Sequence, residues 1–449
     1  MSIRLTKAVP WAPHPKAATK ERRDAESFVS ETNGTRSCCG GWQFEFTGVV
    51  PGHEYRIAVN ATVEAIANPA DATACLAIWG SVAPDFSRLG TAYVWDYICA
   101  PPSRGPEQCF MGTFVAPDAC DTVTIRTALR WTHQGTVNWS TPALKDLGTA
   151  AVRPPVRVAV VTGTETNARA SRPTLAEGLE FYGELARAAC LEHGAKLIAL
   201  PEIGPQWHIP EHALEKATPV PGPVTDFFAD IAKTHGATIV VGLHERDGDA
   251  VFNSAVVIDN AGDIAGVYHK VHLASFEAFS GVLPGNSFPV CETSVGRIGC
   301  NICMDSSAAE SSRMVGLNGA DFLVLPIMGD HRASVWHRGN PVLDEGRWQA
   351  IMRTRAMDNQ LAMVVARNCA KASCIVDRSG EILAYNDGQT DMIVADIEVD
   401  DGYRKWNGGC FRQVNWRQRR PHLYDAFLSP SPSALLRLSA GSVEELDIV

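Results

Sequence analysis

Three reactive side chains stand at the ends of apolar runs that are typical of buried strands. Glu202, Lys270 and Cys303 supply a carboxylate, an ammonium group and a thiol, in that order along the chain. An unperturbed thiol has a pKa of about 8.5, so at neutral pH it needs a base or a cation beside it to act as a nucleophile. These groups together suffice to attack an amide-like carbon and to stabilise the anion that forms. The residue types therefore predict covalent catalysis by Cys303, with Glu202 as general base and then general acid.

Each of these residues also has an ordinary structural interpretation when it is taken alone. Cys303 could be a buried structural thiol, Glu202 a carboxylate at a strand end, and Lys270 a surface lysine. His269 and His272 flank the lysine and are more typical of structural positions, although His272 could form a hydrogen bond near the site. The catalytic interpretation is favoured because the three reactive residues occur together, each within a longer pattern.

That longer pattern resembles the nitrilase-like carbon–nitrogen hydrolases, whose signature is a Glu, a Lys and a Cys in this chain order. The motifs that carry the resemblance are Leu200-Pro201-Glu202, Phe252-Asn253-Ser254-Ala255, His269-Lys270-Val271-His272-Leu273, Gly299-Cys300-Asn301-Ile302-Cys303-Met304-Asp305, Gly319-Ala320-Asp321 and Arg419-Arg420-Pro421. The resemblance covers roughly residues 154–427, and motifs with this spacing rarely arise together by accident.

The resemblance implies both a fold and a set of roles. The fold is a four-layer α-β-β-α sandwich, and catalysis proceeds through a thioester on Cys303. Lys270 and the backbone N–H of Met304 are expected to form the oxyanion hole. Glu277, seven residues after the lysine, is expected to orient substrate or water. The resemblance further implies that neither a metal nor an organic cofactor is needed, and that the protein forms a homodimer or a larger homo-oligomer.

The residues after the nucleophile narrow the expected substrate class. True nitrilases typically carry Trp directly after the cysteine, where this chain has Met304. Carbamoyl-amino-acid hydrolases often place arginines slightly further on, where this chain has Ser306 and Ser307. A free α-carboxylate on the substrate is therefore disfavoured, unless Arg332 or Arg338 takes that role. We expect an amidase-type hydrolase of small amides or ureides. The alternatives are a nitrilase and a binding or scaffold protein with a degenerate hydrolase domain.

Further pocket residues are predicted from stretches that are rich in aromatic and polar side chains. Trp207 follows the catalytic carboxylate closely, and His331 and Trp336 lie in the unusually polar stretch 328–348. We predict that these three residues contact substrate together with Met304. For each of them, a surface or packing role is the competing interpretation.

Alternating strands and helices must position the reactive residues. Apolar runs predict strands at 157–161, 196–200 and 238–243, and the second of these delivers the catalytic carboxylate. An apolar stripe near period 3.6 predicts a helix at 174–192, with Gly194 as its stop signal. Residues 223–235 are predicted to form a second helix, which Gly236 closes. This alternation predicts a layered α/β architecture.

The first third of the chain has a different pattern. Residues 25–148 alternate apolar and polar side chains between turn signals, which predicts an antiparallel, jelly-roll-like β-sandwich. Residues 1–24 are predicted to form an extended arm. A Pro-containing linker at 147–155 leads into the hydrolase domain at 154–427. The tail 428–449 becomes amphipathic and could pack on a partner subunit. The tryptophans of the sandwich are expected to fill its core, so no sugar binding is assigned to them.

Composition excludes several functional classes. The 449 residues carry a net charge of -10 without a basic stripe, which argues against nucleic-acid binding. No run of 18 uncharged apolar residues predicts a membrane span, and the N-terminal residues lack the apolar region of a signal peptide. Thirteen cysteines at irregular spacing predict buried thiols rather than a disulfide framework or a zinc site. We therefore expect a cytoplasmic enzyme that acts on small molecules.

Overall fold

The chain forms two compact units. The computed structural model describes residues 3–24, 27–80, 94–100, 105–117, 120–328, 334–335, 342–399, 419–420 and 423–424. The described residues before 153, together with those after 400, belong to the first unit, and residues 153–399 belong to the second. The predicted domain boundaries at 25–148, 154–427 and 428–449 stay predictions.

The first unit consists mainly of antiparallel strands. In chain order its elements are β1 (Arg4–Trp11), β2 (Lys20–Arg23), β3 (Phe28–Glu31), β4 (Cys39–Thr47), β5 (His53–Glu64), α1 (Pro69–Ala72), β6 (Thr73–Trp79), β7 (Val94–Ile98), β8 (Glu107–Val115), β9 (Thr122–Arg130), β10 (Thr136–Trp139) and β11 (Ala143–Thr149). One sheet has the order β1-β4-β9-β6-β7. The other has the order β11-β5-β10-β3-β2, and β8 also pairs with β5.

The two sheets of the first unit share one core, which confirms the predicted β-sandwich. Phe44 and Ile125 from one sheet pack in the same apolar cluster as Ile57 and Trp139 from the other, and all four are fully buried. Strand β5 shows why this fold forms, since its side chains alternate between buried and more exposed along its length. The segment 1–24, predicted as an extended arm, supplies an edge strand to each sheet.

The cysteines of the first unit depart in part from the expectation of buried thiols. Cys38, Cys75 and Cys120 are buried as predicted, and the described cysteines of the whole chain are thiols. Cys109, however, is exposed on β8. Its side chain lies on the outer side of the pleat, where the alternation of the strand points it to solvent.

The second unit mixes parallel and antiparallel strands with helices. In chain order its strands are β12 (Val156–Val161), β13 (Leu197–Ala199), β14 (Thr238–Asp247), β15 (Ala250–Ile258), β16 (Ile264–His269), β17 (Val290–Thr293), β18 (Gly296–Cys300), β19 (Phe322–Ile327), β20 (Ser334–Val335), β21 (Val342–Leu343), β22 (Ala362–Arg367), β23 (Cys374–Val376), β24 (Ile382–Tyr385) and β25 (Met392–Ile397). Its α-helices are α2 (Glu165–Ala168), α3 (Leu175–His193), α4 (Ala213–Lys216), α5 (Pro223–His235), α6 (Ser275–Ala278), α7 (Ala309–Leu317) and α8 (Glu345–Asn359).

These elements form the predicted four-layer α-β-β-α sandwich. One sheet has the order β16-β15-β14-β13-β12-β25 and the other has the order β17-β18-β19-β22-β23-β24. Val160 and Val324, from different sheets, share a central core, so the sheets pack face to face. Tyr182 of α3 and Phe228 of α5 cover the outer face of the first sheet. Helices α7 and α8 pack on β19 and β22 of the second sheet.

Local sequence signals explain where the two long helices of the first layer begin and end. Thr174 Oγ1 accepts from Glu177 N at 3.3 Å, and Glu177 Oε2 accepts from Thr174 N at 3.0 Å, which is a capping box. Gly194 directly follows helix α3 and has a φ of 66°, in the left-handed region that favours glycine. Helix α5 starts at Pro223 and is also followed by a glycine. The predicted range of α5 is confirmed, and that of α3 is shifted by one residue at each end.

Within the part of the chain that the structure describes, no helix combines the length and the apolar composition needed to cross a membrane.

Candidate active site

Glu202 is held at the carboxyl end of the parallel strand β13. The chain continues through Leu200 and Pro201 to this carboxylate, whose residue is only 3% exposed. The turn packs tightly against β14, because a side chain at Gly242 would approach Pro201 O and Ile203 N within 2.8 Å. Ile203 has a φ of 45°, in the left-handed region that non-glycine residues rarely adopt. A tight, strained turn therefore directs Glu202 into the interior.

Lys270 follows β16 and is almost completely buried, with 1% exposed. Its backbone N–H donates to Asn253 O at 2.9 Å, which extends the pairing of β15 with β16. Its Nζ donates to Glu202 Oε1 at 2.8 Å and to Glu277 Oε2 at 2.6 Å. Buried charges are costly unless they are paired and hydrogen-bonded, so one cation here stabilises two buried carboxylates.

Glu277 lies on the short helix α6 and faces the lysine. It is buried, and its Oε2 also accepts from the backbone N–H of Ala274 at 2.8 Å. This bond ties the carboxylate to the start of the helix, where the partial positive charge of the free N–H groups favours an anion. The structure thus brings Glu277 to Lys270, seven residues before it in the chain.

Asn253 on β15 joins the two carboxylates. Its Nδ2 donates to Glu202 Oε1 at 2.8 Å and to Glu277 Oε1 at 2.7 Å. Because only the nitrogen of the amide can donate, the two carboxylates fix its orientation. Sequence analysis included Asn253 in a motif but gave it no role. Two adjacent polar residues, Asn253 and Ser254, within the mostly apolar strand β15 were the signal that could have revealed it.

Cys303 opens a 3₁₀ turn, Cys303–Ser307, that follows β18 and the connecting residues 301–302. It has a φ of 45° and is 8% exposed. Unfavourable backbone conformations persist only where the surrounding structure holds them, and they cluster at functional sites. Here Asp305 holds the turn, since its Oδ2 accepts from the backbone N–H of Ile302 at 2.8 Å.

Asp305 also ties the nucleophile turn to the lysine segment. The residue is fully buried, and its Oδ2 accepts from Tyr268 Oη at 2.7 Å. Its Oδ1 accepts from His272 N at 2.9 Å and lies 2.8 Å from His272 Nδ1. This hydrogen bond from the imidazole is the main cause of the raised pKa of His272. His272 thus forms the hydrogen bond near the site that the sequence allowed for, and its structural role stays a prediction. Sequence analysis assigned no role to Asp305 or Tyr268.

The charges at the site stabilise one another. Burial lowers the pKa of Lys270, but the charges of Glu202, Cys303 and Glu277 outweigh burial and raise it overall. Burial raises the pKa of Glu277, but Lys270 and the hydrogen bond from Asn253 outweigh burial and hold it below its usual value. Lys270 is therefore a cation and Glu277 an anion at neutral pH. A charge on the sulfur of Cys303 is among the causes of the raised pKa of Lys270, so the thiol and the ammonium lie close enough to interact.

A cavity of about 590 Å³ opens onto these groups. Glu202, Lys270, Glu277 and Cys303 all line it, and Met304 lines it beside the nucleophile. Its volume lies within the range of roughly 300–1,000 Å³ that is usual for small-molecule sites. A carboxylate, an ammonium group and a thiol thus face the same space, which is the arrangement needed to attack a carbonyl carbon and hold an oxyanion.

The remaining predicted pocket residues are not joined to this cavity by the described structure. Trp207 is absent from its described lining, and its ring packs against that of His208 with the centroids 4.6 Å apart. His331 and Trp336 lie outside the described residues. Substrate contact by these three residues stays a prediction. Conversely, Lys216 lines the cavity without having been predicted.

The described residues contain no group of three His, Cys, Asp or Glu side chains that could hold a metal ion. The expectation that no metal or organic cofactor takes part stays a prediction. All the groups named above are side chains or backbone N–H groups of the chain itself.

Comparison with known proteins places this geometry in a family. A family model described as carbon-nitrogen hydrolase matches residues 157–405. A probable nitrilase of Schizosaccharomyces pombe is 30% identical over 223 residues, which cover 46% of this chain and 76% of the relative. An omega-amidase of Xenopus tropicalis is 27% identical over 246 residues, which cover 51% of this chain and 85% of the relative. A citrullinase of Francisella tularensis is 27% identical over 262 residues, covering 52% and 87%.

Among solved structures, that of a carbon-nitrogen hydrolase from Helicobacter pylori aligns with a TM-score of 0.49 and 23% identity. The alignment covers 61% of this chain and 98% of that chain. The family match itself spans more than half of the chain and includes Glu202, Lys270, Glu277 and Cys303. The chain therefore belongs to the carbon–nitrogen hydrolase family of the nitrilase superfamily.

Proposed function

We propose that the protein hydrolyses the carbon–nitrogen bond of a small amide or ureide through a thioester on Cys303. The observation that carries the proposal is the buried ion pairing of Lys270 with both Glu202 and Glu277 at the cavity that Cys303 lines. A scaffold protein with a degenerate site would bear the cost of these buried charges without using them.

The first half of the reaction forms the acyl-enzyme. Glu202 accepts the proton of the Cys303 thiol, and the sulfur forms a bond with the carbonyl carbon. The electron pair of the carbonyl bond moves to oxygen, where Lys270 and the backbone N–H of Met304 donate hydrogen bonds to the oxyanion. When the carbonyl re-forms, the carbon–nitrogen bond breaks and Glu202 gives its proton to the leaving amine.

The second half of the reaction releases the acid. Water gives a proton to Glu202 while its oxygen attacks the thioester carbon, and the same donors stabilise the second oxyanion. The carbon–sulfur bond then breaks, and the sulfur recovers a proton from Glu202. Throughout, Glu277 keeps Lys270 charged and oriented through their 2.6 Å contact. Its carboxylate also lines the cavity, where it orients the amine or the water.

An amide or ureide is favoured over a nitrile because Met304 rather than Trp follows the nucleophile. Ammonia release from amides, ureides and nitriles of matched carbon chain tests this choice. We expect amides or ureides to react faster than nitriles, and we expect a covalent acyl adduct on the peptide that contains Cys303. Nitriles that react as fast as the matched amides would replace this assignment with that of a nitrilase.

Thiol alkylation separates an enzyme from a scaffold without a known substrate. Cys303 should react with iodoacetamide faster than Cys109, although Cys109 is exposed and Cys303 is buried. Cys303→Ala should abolish turnover with an unchanged unfolding transition, and Cys109→Ala serves as the matched control. If Cys303 labels no faster than Cys109 and Cys303→Ala retains activity, the catalytic assignment is wrong.

A further inference from the structure

A second ammonium group faces the active-site cavity. Lys216, at the end of α4, lines the cavity and is half-buried. Its Nζ donates to Gln206 O and to Ile209 O, both at 3.1 Å. Both acceptors are uncharged backbone carbonyls, and no described carboxylate forms an ion pair with this lysine. Since an ammonium group has three N–H donors, one donor and the full charge are left for a ligand.

This ammonium is held in place from two sides. The side chain of Gln206 is fully buried, and its Nε2 donates to Lys216 O at 3.1 Å. Its Oε1 accepts from the backbone N–H of His244 on β14 at 2.6 Å. The lysine is therefore anchored through its backbone as well as through Nζ. Anchoring of this kind lowers the entropy that a binding group loses when a ligand arrives.

The surroundings of Lys216 leave its positive charge available. His244 lines the cavity, and burial together with the charge of Lys216 lowers the pKa of its imidazole to about 4. It is therefore neutral at neutral pH. Glu277 and Lys270 also act on this imidazole, so His244 connects the surroundings of Lys216 with the catalytic groups. Burial lowers the pKa of Lys216, and the charge of Glu211 opposes this shift. Glu211 is exposed, so water screens its charge.

The lining of the cavity also includes apolar side chains. Ala213, Phe276 and Val282 line the cavity together with the lysine. The cavity is thus lined by a thiol, by oxyanion donors, by a further cation and by apolar side chains. This lining fits a short aliphatic chain with a polar group at each end.

We propose that Lys216 recognises an anionic group of the substrate, so that the natural substrates are short-chain amides or ureides that carry a carboxylate away from the bond that is cleaved. This inference rests on the proposed function, because it assigns the amide to the catalytic groups of the same cavity. It also revises the expectation drawn from Ser306 and Ser307. The cation that is missing after the nucleophile is supplied by a different element of the fold.

Matched substrates that differ only in charge test the proposal. The monoamides of malonic, succinic, glutaric and adipic acids each carry a carboxylate, and their methyl-ester amides are neutral. For the best chain length, the native enzyme should show a kcat/KM at least about tenfold higher for the anionic amide, as expected for a charge-assisted hydrogen bond. In Lys216→Met and Lys216→Gln this preference should disappear, because KM should rise more for the anionic amide than for the neutral one. Lys216→Arg should retain most of it.

The control variant is Lys196→Met. Lys196 Nζ also donates to a backbone carbonyl, that of Gly236 at 3.5 Å, but this lysine does not line the cavity among the described residues. The Lys196→Met variant should have the same kcat/KM as the native enzyme for both the anionic and the neutral amide. Thermal unfolding of each variant identifies those that fail to fold. Lys216→Gln, which keeps an N–H donor without the charge, replaces Lys216→Met in that case.

A readout without turnover separates failure of the subsite from failure of the proposed function. Glutarate should slow the alkylation of Cys303 by iodoacetamide in the native protein and in Lys196→Met, but not in Lys216→Gln. Cys303-dependent hydrolysis of neutral amides without preference for the anionic ones would overturn the subsite alone. Equal losses for both substrates in Lys216→Gln, or equal protection by glutarate, would also overturn it. If no amide is hydrolysed, the proposed function fails and the substrate assignment fails with it.

Discussion

The two units of the molecule bury charged side chains in different ways. In the sandwich, Asp96 is 1% exposed and accepts from Trp79 Nε1 at 2.8 Å. Arg126 is also buried, donates to Gln43 Oε1 at 2.8 Å, and lies 4.3 Å above the ring of Trp11. The partners named here are uncharged side chains of the same unit, and Asp96 and Arg126 each make further interactions. The buried charges of the sandwich thus contribute to packing between strands.

At the active site of the hydrolase unit, three buried charges pair with one another and face a common space. Lys270 binds two carboxylates, and all three groups line one cavity with a thiol. The contrast shows that burial of a charged residue does not by itself indicate catalysis. Several buried charges that converge on one cavity do indicate it, because only there can they act on the same ligand.

The largest expected effect is the loss of catalysis when the converging charges are altered. Glu202→Gln and Lys270→Met should each lower kcat/KM by about 10³-fold or more, because both the base and the oxyanion donor act in the transition state. Arg126→Met in the sandwich removes an equally buried charge. It should leave kcat/KM unchanged while lowering the free energy of unfolding by about 1–3 kcal/mol.

Ammonia release and denaturant unfolding, measured on all three variants, check this pair of expectations. Lys270→Met also leaves two carboxylates without their cation, so its stability should fall by about 3–5 kcal/mol, and Glu202→Gln is the cleaner catalytic variant. A loss of catalysis in Arg126→Met comparable to that in Glu202→Gln would remove the distinction drawn between the two units.

A smaller catalytic effect is expected at the second carboxylate. Glu277→Gln keeps an acceptor for Lys270 but removes one negative charge, so kcat should fall by about 10- to 100-fold. The pKa of Glu277 is held below its usual 4.5 in the folded protein. Its stabilising contribution is therefore fully present above the unfolded pKa and is lost as the pH falls through the folded pKa.

Urea unfolding of Glu277→Gln and of the native protein, measured between pH 7 and pH 3, tests this sign. The native protein should be the more stable of the two at pH 7, and the difference should shrink as the pH falls below about 4.5, the unfolded value. Asp96→Asn in the sandwich is the matched control for catalysis and should leave kcat unchanged. A stability difference that grows toward acid pH would contradict the lowered pKa.

A smaller fall in kcat than at Glu277 is expected at Asp305, which acts through the turn that contains the nucleophile. Asp305→Asn keeps the shape but weakens the bonds to Ile302 N, Tyr268 and His272, so kcat should fall by about tenfold while KM changes little. Because the bond to Asp305 is the main cause of the raised pKa of His272, that pKa should fall in the variant. An NMR titration of His272 separates this positioning role from general destabilisation, which would leave the pKa of the folded protein unchanged.

Sequence patterns predicted much of the fold where apolar periodicity and capping residues coincide. Helix α3 is an example, since Thr174, Glu177 and Gly194 define its ends through local hydrogen bonds and backbone conformation. Strand β1 is the opposite case. It is an edge strand whose side chains are mostly exposed or half-buried, so its sequence lacks the alternation that predicts a strand. Only its pairing with β4 reveals it.

The reactive residues were predictable because their chemistry is visible in their side chains. Asn253 and Asp305 were harder to find, because their roles depend on which atoms the fold brings within hydrogen-bond distance. Lys216 could not have been found from the sequence. The position of its ammonium group depends on hydrogen bonds to the backbone carbonyl groups of Gln206 and Ile209, which precede it in the chain. Sequence thus identifies reactive groups better than the groups that hold them or select their substrates.

The smallest expected effect concerns a half-buried carboxylate of the sandwich unit. Glu21 on β2 accepts from Ser30 Oγ at 2.8 Å and bonds with Thr19. Burial raises its pKa to about 7, although both of these hydrogen bonds oppose the shift. The folded sandwich therefore favours the protonated carboxyl. Its contribution to stability is fully present below the unfolded pKa of about 4.5, and it declines as the pH rises toward 7.

Glu21→Gln mimics the protonated carboxyl at every pH. The variant should match the native protein at pH 4.5 and should unfold at a temperature higher by about 2–4 °C at pH 8, the shift that corresponds to about 1 kcal/mol in a domain of this size. Its kcat/KM should equal that of the native enzyme at both pH values. A variant less stable than the native protein at pH 8 would show that the charged carboxylate is stabilised in the sandwich. A carboxylate could then stay charged inside this protein without a cation such as Lys270 beside it. The difference drawn between the charges of the sandwich and those of the active site would lose its physical basis.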